Sequence, residues 1–410
     1  MPGNGATRTV VEQNVSTLPP LVEPAAELTR DEVARYSRHL IIPEMGVTGQ
    51  KRLKNAKVLV IGAGGLGSPA LLYLAAAGVG TIGIVEFDEV DESNLQRQVI
   101  HGVSDLGRPK GESARDSIAE INPLVTVNLH PIRLEPENAV ELFEQYDLIL
   151  DGTDNFATRY LVNDAAVLAH KPYVWGSIFR FEGQVSVFWE DAPDGPNGEK
   201  QGLNYRDLYP VAPPPGMVPS CAEGGVLGIL CASIGSIMGT EAVKLITGIG
   251  ESLLGRLMVY DALEMSYRTL SIRKDPDAPR ITGLIDYDEF CGVVSDEAER
   301  AAAGSTITPK ELVEMGSAGV DYELVDVREP VEWEIVHLDG AKLVPKGAFE
   351  TGEGLAQVSA DKKLVLYCKT GIRSAEVLAA VQGAGYRDAV HLQGGITAYA
   401  KQVDPSLPVY

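Results

Sequence analysis

The amino-acid sequence predicts an α/β protein of two domains, a doubly wound Rossmann-like sheet followed by a second, smaller α/β domain. Three observations carry this. Short apolar runs of strand length alternate with helical stretches along the first two thirds of the chain. A glycine-rich turn joins the first clear strand to an alanine-rich helix. A Pro-, Asp- and Ala-rich stretch then separates this pattern from a shorter series of strands and helices. With 410 residues, the chain also exceeds what one compact core usually holds.

The elements follow in order. Residues 1–27 are rich in Pro and Gly and lack the apolar core of a secretory signal, so a loose tail and a cytoplasmic protein are expected. Thr29 with Glu32 three residues later is a capping-box pattern, opening a helix that continues through DEVARYSRHL. KVLVIG is a strand, GAGGLGS a turn, PALLYLAAAGVG a helix and TIGIVEF the next strand, which makes a βαβ unit. VTVNL, DLILDG, YVWGSI and QVSVFW continue the strands, with ESARDSIAEI and NAVELFEQ as helices between them. From Asp191 to Gly225 the chain turns to Pro, Gly and Asp, a length of loop expected to cross over an active site. The apolar stretch Val226 to Gly239 is about fourteen residues, short of the roughly twenty that span a bilayer, and is expected to be a buried helix. RLMVYDALEMSYRTLSI reads as one closing strand. The first domain is therefore placed at 28–287, a linker at 288–305 and the second domain at 306–410. That domain reads as helix PKELVEMG, strands YELVDV and LVLYC, helix SAEVLAAVQGAG and strand AVHL.

Composition narrows the function. Apolar residues make up 45% and charged residues 22% of the chain, as in folded proteins. The formal charge of −22 argues against nonspecific partners such as nucleic acid or anionic membrane. Cations gathered at one point run against that background. Cys221, Cys231, Cys291 and Cys368 are too scattered for a disulfide framework, and no pair has zinc-knuckle spacing. Cys231, in an apolar helix, and Cys291, in DYDEFCG, are expected to be structural.

Gly62, Gly64 and Gly67 form G-x-G-x-x-G between a strand and a helix, where glycines permit the tight turn and close approach of phosphates to the helix N-terminus. Glu86 ends the next strand, placed to accept hydrogen bonds from ribose hydroxyls. Alone, this points only to some nucleotide, and its plain alternative is a turn that serves packing. Asn94 and Arg97 lie beyond the second strand, and Lys110 starts the next helix. Such cations suit a triphosphate. A dehydrogenase holds a diphosphate through the turn backbone, whereas adenylyl transfer must offset charge on three phosphates and on departing pyrophosphate. Asp154, followed by Asn155, ends DLILDG at the carboxyl edge of the sheet and is a candidate Mg²⁺ ligand. The plain alternatives are solvated surface charges for Arg97 and Lys110, and a helix N-cap for Asp154.

RYSRHLIIPEMG, VLVIGAGGLGSP, FDEVDESNLQRQ, the lysine of RPKGESA, DGTDN, RFEGQVSVF and CAEGGVLG together resemble the motifs of the MoeB/ThiF family, relatives of ubiquitin-activating enzymes, from Asp31 to Tyr287. The resemblance implies that ATP is held by Gly65, Glu86, Ser93, Asn94, Arg97, Lys110 and Asp154 with Asn155, and that Arg38 reaches across a homodimer to the phosphates. It implies a ubiquitin-like sulfur-carrier protein ending in Gly-Gly as partner. Cys221 matches a second thiol able to attack an activated carboxylate, with a half-buried loop thiol as the alternative. Two departures stand out. Glu86 replaces the family's usual Asp, one methylene longer and chemically equivalent. The positions of two CxxC pairs that hold a structural zinc in many members are Asn204, Asp207, Ala278 and Ile281, so zinc is expected to be absent and the crossover to be held by packing.

LVLYC sets Cys368 at a strand end, and KTGIRS leads directly into a helix. Loop N–H groups and a helix N-terminus, with Lys369 and Arg373 nearby, would favour a thiolate and an anionic persulfide; the alternative is an inert core cysteine. VDVREPVEWEIVHLDGAKLVP resembles the entry motif of rhodanese domains and CKTGIRS their active loop, from Thr306 onward. In that family the matching cysteine carries the persulfide, and Asp326 and Arg328 are expected to be structural. An arsenate reductase or phosphatase of similar fold is the alternative, but those phosphatases use a loop one residue longer between Cys and Arg.

As a whole the chain resembles MoeZ-type adenylyltransferase/sulfurtransferases. The resemblance implies adenylylation of the carrier's C-terminal Gly with MgATP, then sulfur transfer from a Cys368 persulfide to give a thiocarboxylate, with thiosulfate or a cysteine desulfurase as upstream donor. Two rival readings are a nicotinamide-dependent oxidoreductase fused to a sulfurtransferase domain, and a noncatalytic docking platform for a ubiquitin-like protein. The first calls for a hydride-transfer His or Tyr, and none stands out. The second leaves Arg97, Lys110 and Asp154 without a task.

Overall fold

A computed structural model describes residues 18–25, 27–195, 197–213, 224–291 and 305–410. Cys221 and most of the expected linker lie outside the described residues. The chain divides into two compact units at residues 293/294.

In the first unit β1 (Lys57–Ile61), β2 (Thr81–Val85), β3 (Thr126–His130), β4 (Leu148–Asp151), β5 (Tyr173–Phe179), β6 (Glu182–Phe188), β7 (Arg256–Asp261) and β8 (Ser266–Ser271) form one sheet in the order β3-β2-β1-β4-β5-β6-β7-β8. From β3 to β5 the pairing is parallel, and from β5 to β8 antiparallel. All residues of β4 and four of the five in β1 are buried, because helices cover both faces of the parallel part. Aliphatic residues from the Gly67–Ala77 and Gly228–Thr247 helices pack on one face, and a cluster that includes Phe143, Tyr160, Trp175 and Tyr205 packs on the other. Strand order reverses between β1 and β4. At such a switch point the crossovers leave in opposite directions and a crevice opens beyond the strand ends.

Four segments differ from the sequence expectation. Within the expected loose tail, Leu18 and Val22 are buried in the core and the Leu21 N–H donates to the Leu245 carbonyl at 3.0 Å. The first helix has its capping box, with the Thr29 hydroxyl accepting from the Glu32 N–H at 3.2 Å and Glu32 Oε2 accepting from the Thr29 N–H at 2.6 Å. It ends at Arg35, however, and a short Ser37–Leu40 helix follows a break at Tyr36. Tyr36 is drawn into the core, where its hydroxyl accepts from Asn122 Nδ2 at 2.8 Å. The apolar stretch after Val226 becomes a 20-residue helix, Gly228–Thr247. It runs on through Glu241, whose carboxylate pairs with Lys244 and accepts the Leu253 N–H at 2.8 Å. Among the described residues this is the one helix long and apolar enough to cross a membrane, and it packs on the Gly67–Ala77 helix, β5 and β6 as a core helix does. The expected closing strand is a hairpin, β7 and β8. Asp261 Oδ1 accepts from the N–H groups of Leu263 and Glu264 at 2.8 and 3.1 Å, which folds the chain back.

The second unit is a parallel sheet of β9 (Thr306–Ile307), β10 (Tyr322–Asp326), β11 (Lys342–Leu343), β12 (Lys363–Tyr367) and β13 (Val390–Leu392) in the order β11-β10-β12-β13-β9. Strand β12 is central, and four of its five residues are buried. It delivers Cys368 at its carboxyl end.

Candidate active sites

A cleft of about 390 Å³ opens at the switch point, lined in part by Gly62, Gly64, Gly65, Glu86, Arg97, Lys110, Asp154 and Asn155. Its base is the turn between β1 and the Gly67–Ala77 helix. Gly62 has φ +89°, a left-handed conformation, and a Cβ on Gly67 would run into the Gly62 carbonyl oxygen. A Cβ on Gly65 would stand 2.7 Å from Cys231 Sγ, so the Gly228–Thr247 helix packs directly against the turn. His101 braces it as well, with Nε2 3.1 Å from the Ala63 carbonyl and Nδ1 2.8 Å from Ser113 Oγ. Burial pushes the His101 imidazole below its ordinary pKa, so the ring braces the turn without adding charge at neutral pH.

Around this turn stand the charged groups. The Glu86 carboxylate accepts from the N–H groups of Ala63, Phe87 and Asp88, each at 2.9 Å, tying the end of β2 to the turn. Lys110 is only 6% exposed, with Nζ 3.2 Å from Asp88 Oδ2, and is therefore not a solvated surface charge. Arg97 is half-buried; its stem passes Gly65 and its Nη1 donates to the Ser93 carbonyl at 3.0 Å. Asn155, not Asp154, caps the Phe156–Leu168 helix, its Oδ1 accepting the Thr158 N–H at 2.8 Å. Asp154 is exposed on the cleft wall and among the described residues has no hydrogen-bond or ion-pair partner. A bare carboxylate beside phosphate oxygens is a usual seat for Mg²⁺. Among the described residues no group of three or more His, Cys, Asp or Glu is placed to hold an ion.

Two contributors escaped the sequence. Asp151, fully buried at the end of β4, accepts from Thr153 through its N–H at 3.0 Å and its hydroxyl at 2.7 Å; burial raises its pKa above the usual carboxylate value. Arg159 lines the cleft and donates from Nε and Nη2 to the Thr153 carbonyl at 3.2 and 3.1 Å. Together they fix the segment that carries Asp154. The available signals were an acid in an apolar strand and an arginine among apolar helix residues, since such groups are rarely buried without a partner.

In the second unit Cys368 is 1% exposed, and its Sγ accepts the Gly371 N–H at 3.1 Å. Gly371, at φ +107°, precedes the Ile372–Gly383 helix. The loop carbonyls are taken up elsewhere, with Cys368 and Lys369 accepting from the N–H groups of Ile396 and Thr397 at 2.9 and 3.1 Å. Gly395 permits this, for a Cβ there would collide with both oxygens. Arg373 forms a two-pronged pair with Glu332, Nη1 to Oε2 at 2.6 Å and Nη2 to Oε1 at 2.8 Å. Burial acts to raise the Glu332 pKa, but this pair and the Glu329 N–H outweigh it and hold the carboxyl below its usual value. Arg328 and Asp326 are both fully buried and paired at 2.5 Å, an internal scaffold behind the loop.

Residues 36–280 match the ThiF family, and residues 308–402 match the rhodanese-like domain. The chain belongs to the ThiF family. This ThiF-family chain is 73% identical over 395 residues to the probable adenylyltransferase/sulfurtransferase MoeZ of Mycobacterium tuberculosis, covering 96% of this chain and 100% of that protein. It is 51% identical over 271 residues to the sulfur carrier protein adenylyltransferase of Thermus thermophilus, covering 65% and 98%. It is 40% identical over 413 residues to the adenylyltransferase and sulfurtransferase MOCS3 of Drosophila virilis, covering 95% and 88%. A crystal structure of E. coli MccB with MccA-N7isoASN shares the fold, with a TM-score of 0.53 and 20% identity over 61% of this chain and 75% of that one. With both domains present along nearly the whole length of its two-activity relatives, this family member is an enzyme of adenylyl transfer and sulfur transfer that uses ATP.

Not every expected residue of this ThiF-family chain reaches the cleft. Ser93 Oγ donates to Asp91 Oδ1 at 2.6 Å and Asn94 Oδ1 accepts the Asp91 N–H at 3.3 Å, so both close the turn that leads to Arg97. Arg38 is exposed on the Ser37–Leu40 helix and does not line the cleft. At the positions of the two CxxC pairs, Asn204 Nδ2 donates to Glu190 Oε2 at 2.7 Å, and Asp207 accepts the N–H groups of Asn204 and Asp275 at 2.8 and 3.2 Å. Lys274 Nζ lies 2.6 Å from Glu190 Oε2 and 3.2 Å from Asp207 Oδ2. The crossover is thus fastened by a polar network, where the sequence suggested packing alone; Ala278 and Ile281 bring no polar side chain to it. Cys231 and Cys291 are buried in the core as expected, and burial pushes the Cys291 thiol up to about 11.

Proposed function

We propose that this enzyme joins AMP to the C-terminal glycine of a ubiquitin-like sulfur-carrier protein and then converts that end to a thiocarboxylate with sulfur held on Cys368. The observation that carries the reading is the convergence of Arg97, Lys110 and a bare Asp154 on one glycine turn of a strongly acidic chain. The relative named sulfur carrier protein adenylyltransferase supports the choice of partner.

In the first step a carrier carboxylate oxygen attacks the α-phosphorus of ATP, and the bond to pyrophosphate breaks. The carboxylate is already ionised at neutral pH, so no general base is needed. The remaining task is to align the ends and offset charge on the departing pyrophosphate. Arg97 and Lys110 serve this from within the cleft, and Arg38 of a second copy in a homodimer adds a further cation. Asp154 beside Asn155 would hold Mg²⁺, which would supply additional neutralisation of the phosphates. Glu86 takes the ribose, and Ser93 and Asn94 hold the turn that aims Arg97. In the second step the outer sulfur of the Cys368 persulfide attacks the acyl carbon and AMP departs. An external thiol then takes the inner sulfur as a mixed disulfide, leaving the thiocarboxylate, and a further equivalent of that thiol reduces the disulfide and frees Cys368; Cys221 is the candidate for a second thiol that attacks the activated carboxylate. Thiosulfate or a cysteine desulfurase recharges Cys368 in the cytoplasm. The crossover needs no structural zinc, because the Lys274 network fastens it.

The test separates the two sites. Asp154→Ala is expected to abolish carrier-dependent ATP–pyrophosphate exchange and leave sulfur transfer from thiosulfate to cyanide intact, and Cys368→Ala to do the opposite. Loss of both activities in either folded variant would contradict two separate sites.

A further inference from the structure

We propose that Tyr410 is a positioning residue of the sulfur site, holding the loop cations Lys369 and Arg373 where an anionic sulfur donor must meet them. The inference rests on the reading that Cys368 carries the sulfur. Among the described residues no hydrogen bond joins Tyr410 to the sulfur or its loop backbone, yet it is in contact with Lys369 and with the partner of Arg373. Its ring lies under Lys369, the residue after Cys368, with Nζ 4.5 Å from the ring centroid. Its hydroxyl donates to Glu332 Oε1 at 3.0 Å, and that oxygen also accepts from Arg373 Nη2 at 2.8 Å. Burial raises the Tyr410 pKa, which keeps the proton it donates.

The contact is anchored from behind. Arg328 Nη1 donates to the Tyr410 hydroxyl at 2.5 Å. Its Nη2 is held by the Val336 carbonyl at 2.7 Å and by the buried Asp326 carboxylate, so the hydroxyl rests on a fixed point of the sheet. One side chain thereby links the rigid scaffold to both cations. A sulfane-sulfur donor such as thiosulfate is a small dianion, and its capture depends on where those cations stand. Removing Tyr410 leaves the sulfur and the Gly371 amide in place, so donor capture should suffer and the transfer step should not.

The experiment is steady-state sulfur transfer from thiosulfate to cyanide by the full chain, with the thermal unfolding of the sulfur unit as a control for folding. Tyr410→Phe keeps the ring and loses the hydroxyl, and is expected to raise the KM for thiosulfate about threefold with kcat within about twofold. Tyr410→Ala loses both contacts, and is expected to raise it about tenfold, with the added substitution Lys369→Ala contributing little more. Wild-type KM values in both variants would overturn the inference, as would a fall in kcat with KM unmoved, the mark of a merely structural role. Where Tyr410→Ala fails to fold, the KM of Tyr410→Phe decides by the same criterion. A wild-type enzyme that moves no sulfur from thiosulfate would sink the reading of Cys368 and this inference with it; normal KM values in the Tyr410 variants would sink the inference alone.

Discussion

Gly65→Ala tests whether the glycine turn is the nucleotide site, and its effect can be worked from the packing. The added Cβ would stand 2.7 Å from Cys231 Sγ, with its next contacts, Cys231 Cβ and Arg97 Cγ, at 3.7 and 3.8 Å. Gly65 is not among the positive-φ glycines, so the backbone accepts alanine and the whole penalty comes from one sulfur atom. Comfortable contact is about 3.5–4.0 Å, so something must move by close to an ångström. Cys231 is 1% exposed on a core helix, and the turn gives way first. Overpacking of this kind costs about 1–3 kcal/mol. If about 2 kcal/mol of it falls on nucleotide placement, kcat/KM for ATP in pyrophosphate exchange drops about 30-fold. Cys231→Ala removes the offending atom, so the double variant should return to within about threefold of Cys231→Ala alone. Thiosulfate sulfur transfer, at the other site, should not change. A folded Gly65→Ala enzyme that exchanges like wild type would refute the reasoning, as would a double variant no better than Gly65→Ala.

Further outcomes follow from the same geometry. Lys274→Ala leaves Glu190 and the buried Asp207 without their shared cation, and should lower the Tm of the adenylation unit by a few degrees, about 1 kcal/mol after allowance for the exposure of Lys274. Treatment of the wild type with a zinc chelator should not move that Tm, and a chelator-sensitive Tm would contradict the zinc-free crossover. Glu332 is held below its ordinary pKa of 4.5, so the folded sulfur unit binds that proton less tightly than the unfolded chain. Its contribution is full above about pH 4.5 and drains as pH falls through the folded value. Glu332→Gln should therefore lower the Tm of the sulfur unit at neutral pH, with the gap to wild type closing as pH falls below 4.5; a gap that does not vary with pH would count against the pair.

Periodicity made the long elements legible. The β1–turn–helix–β2 unit and β12 with its following helix are visible in sequence because apolar spacing and glycine punctuation act within a few residues. The two-residue strands β9 and β11 carry no period, and the break at Tyr36 is set by Asn122, far along the chain. At the cleft, sequence grouped Arg97, Lys110 and Asp154 around the glycine turn, and all three line it. It left open whether Asp154 is a metal ligand or the helix N-cap, because the cap is decided only by which residue's oxygen reaches the Thr158 N–H, and that residue is Asn155. Asp151, Arg159 and Tyr410 were not legible as site residues, since each acts through a carbonyl, a hydroxyl or another side chain.

The central claim is tested most directly by intact-mass analysis of a small ubiquitin-like protein ending in Gly-Gly after incubation with the full chain, MgATP, thiosulfate and a thiol reductant. The account predicts that its terminal oxygen is exchanged for sulfur only when ATP is present, with AMP and pyrophosphate released. A carrier that gains sulfur without ATP, or an ATP-consuming enzyme that leaves every such carrier unchanged, would contradict it.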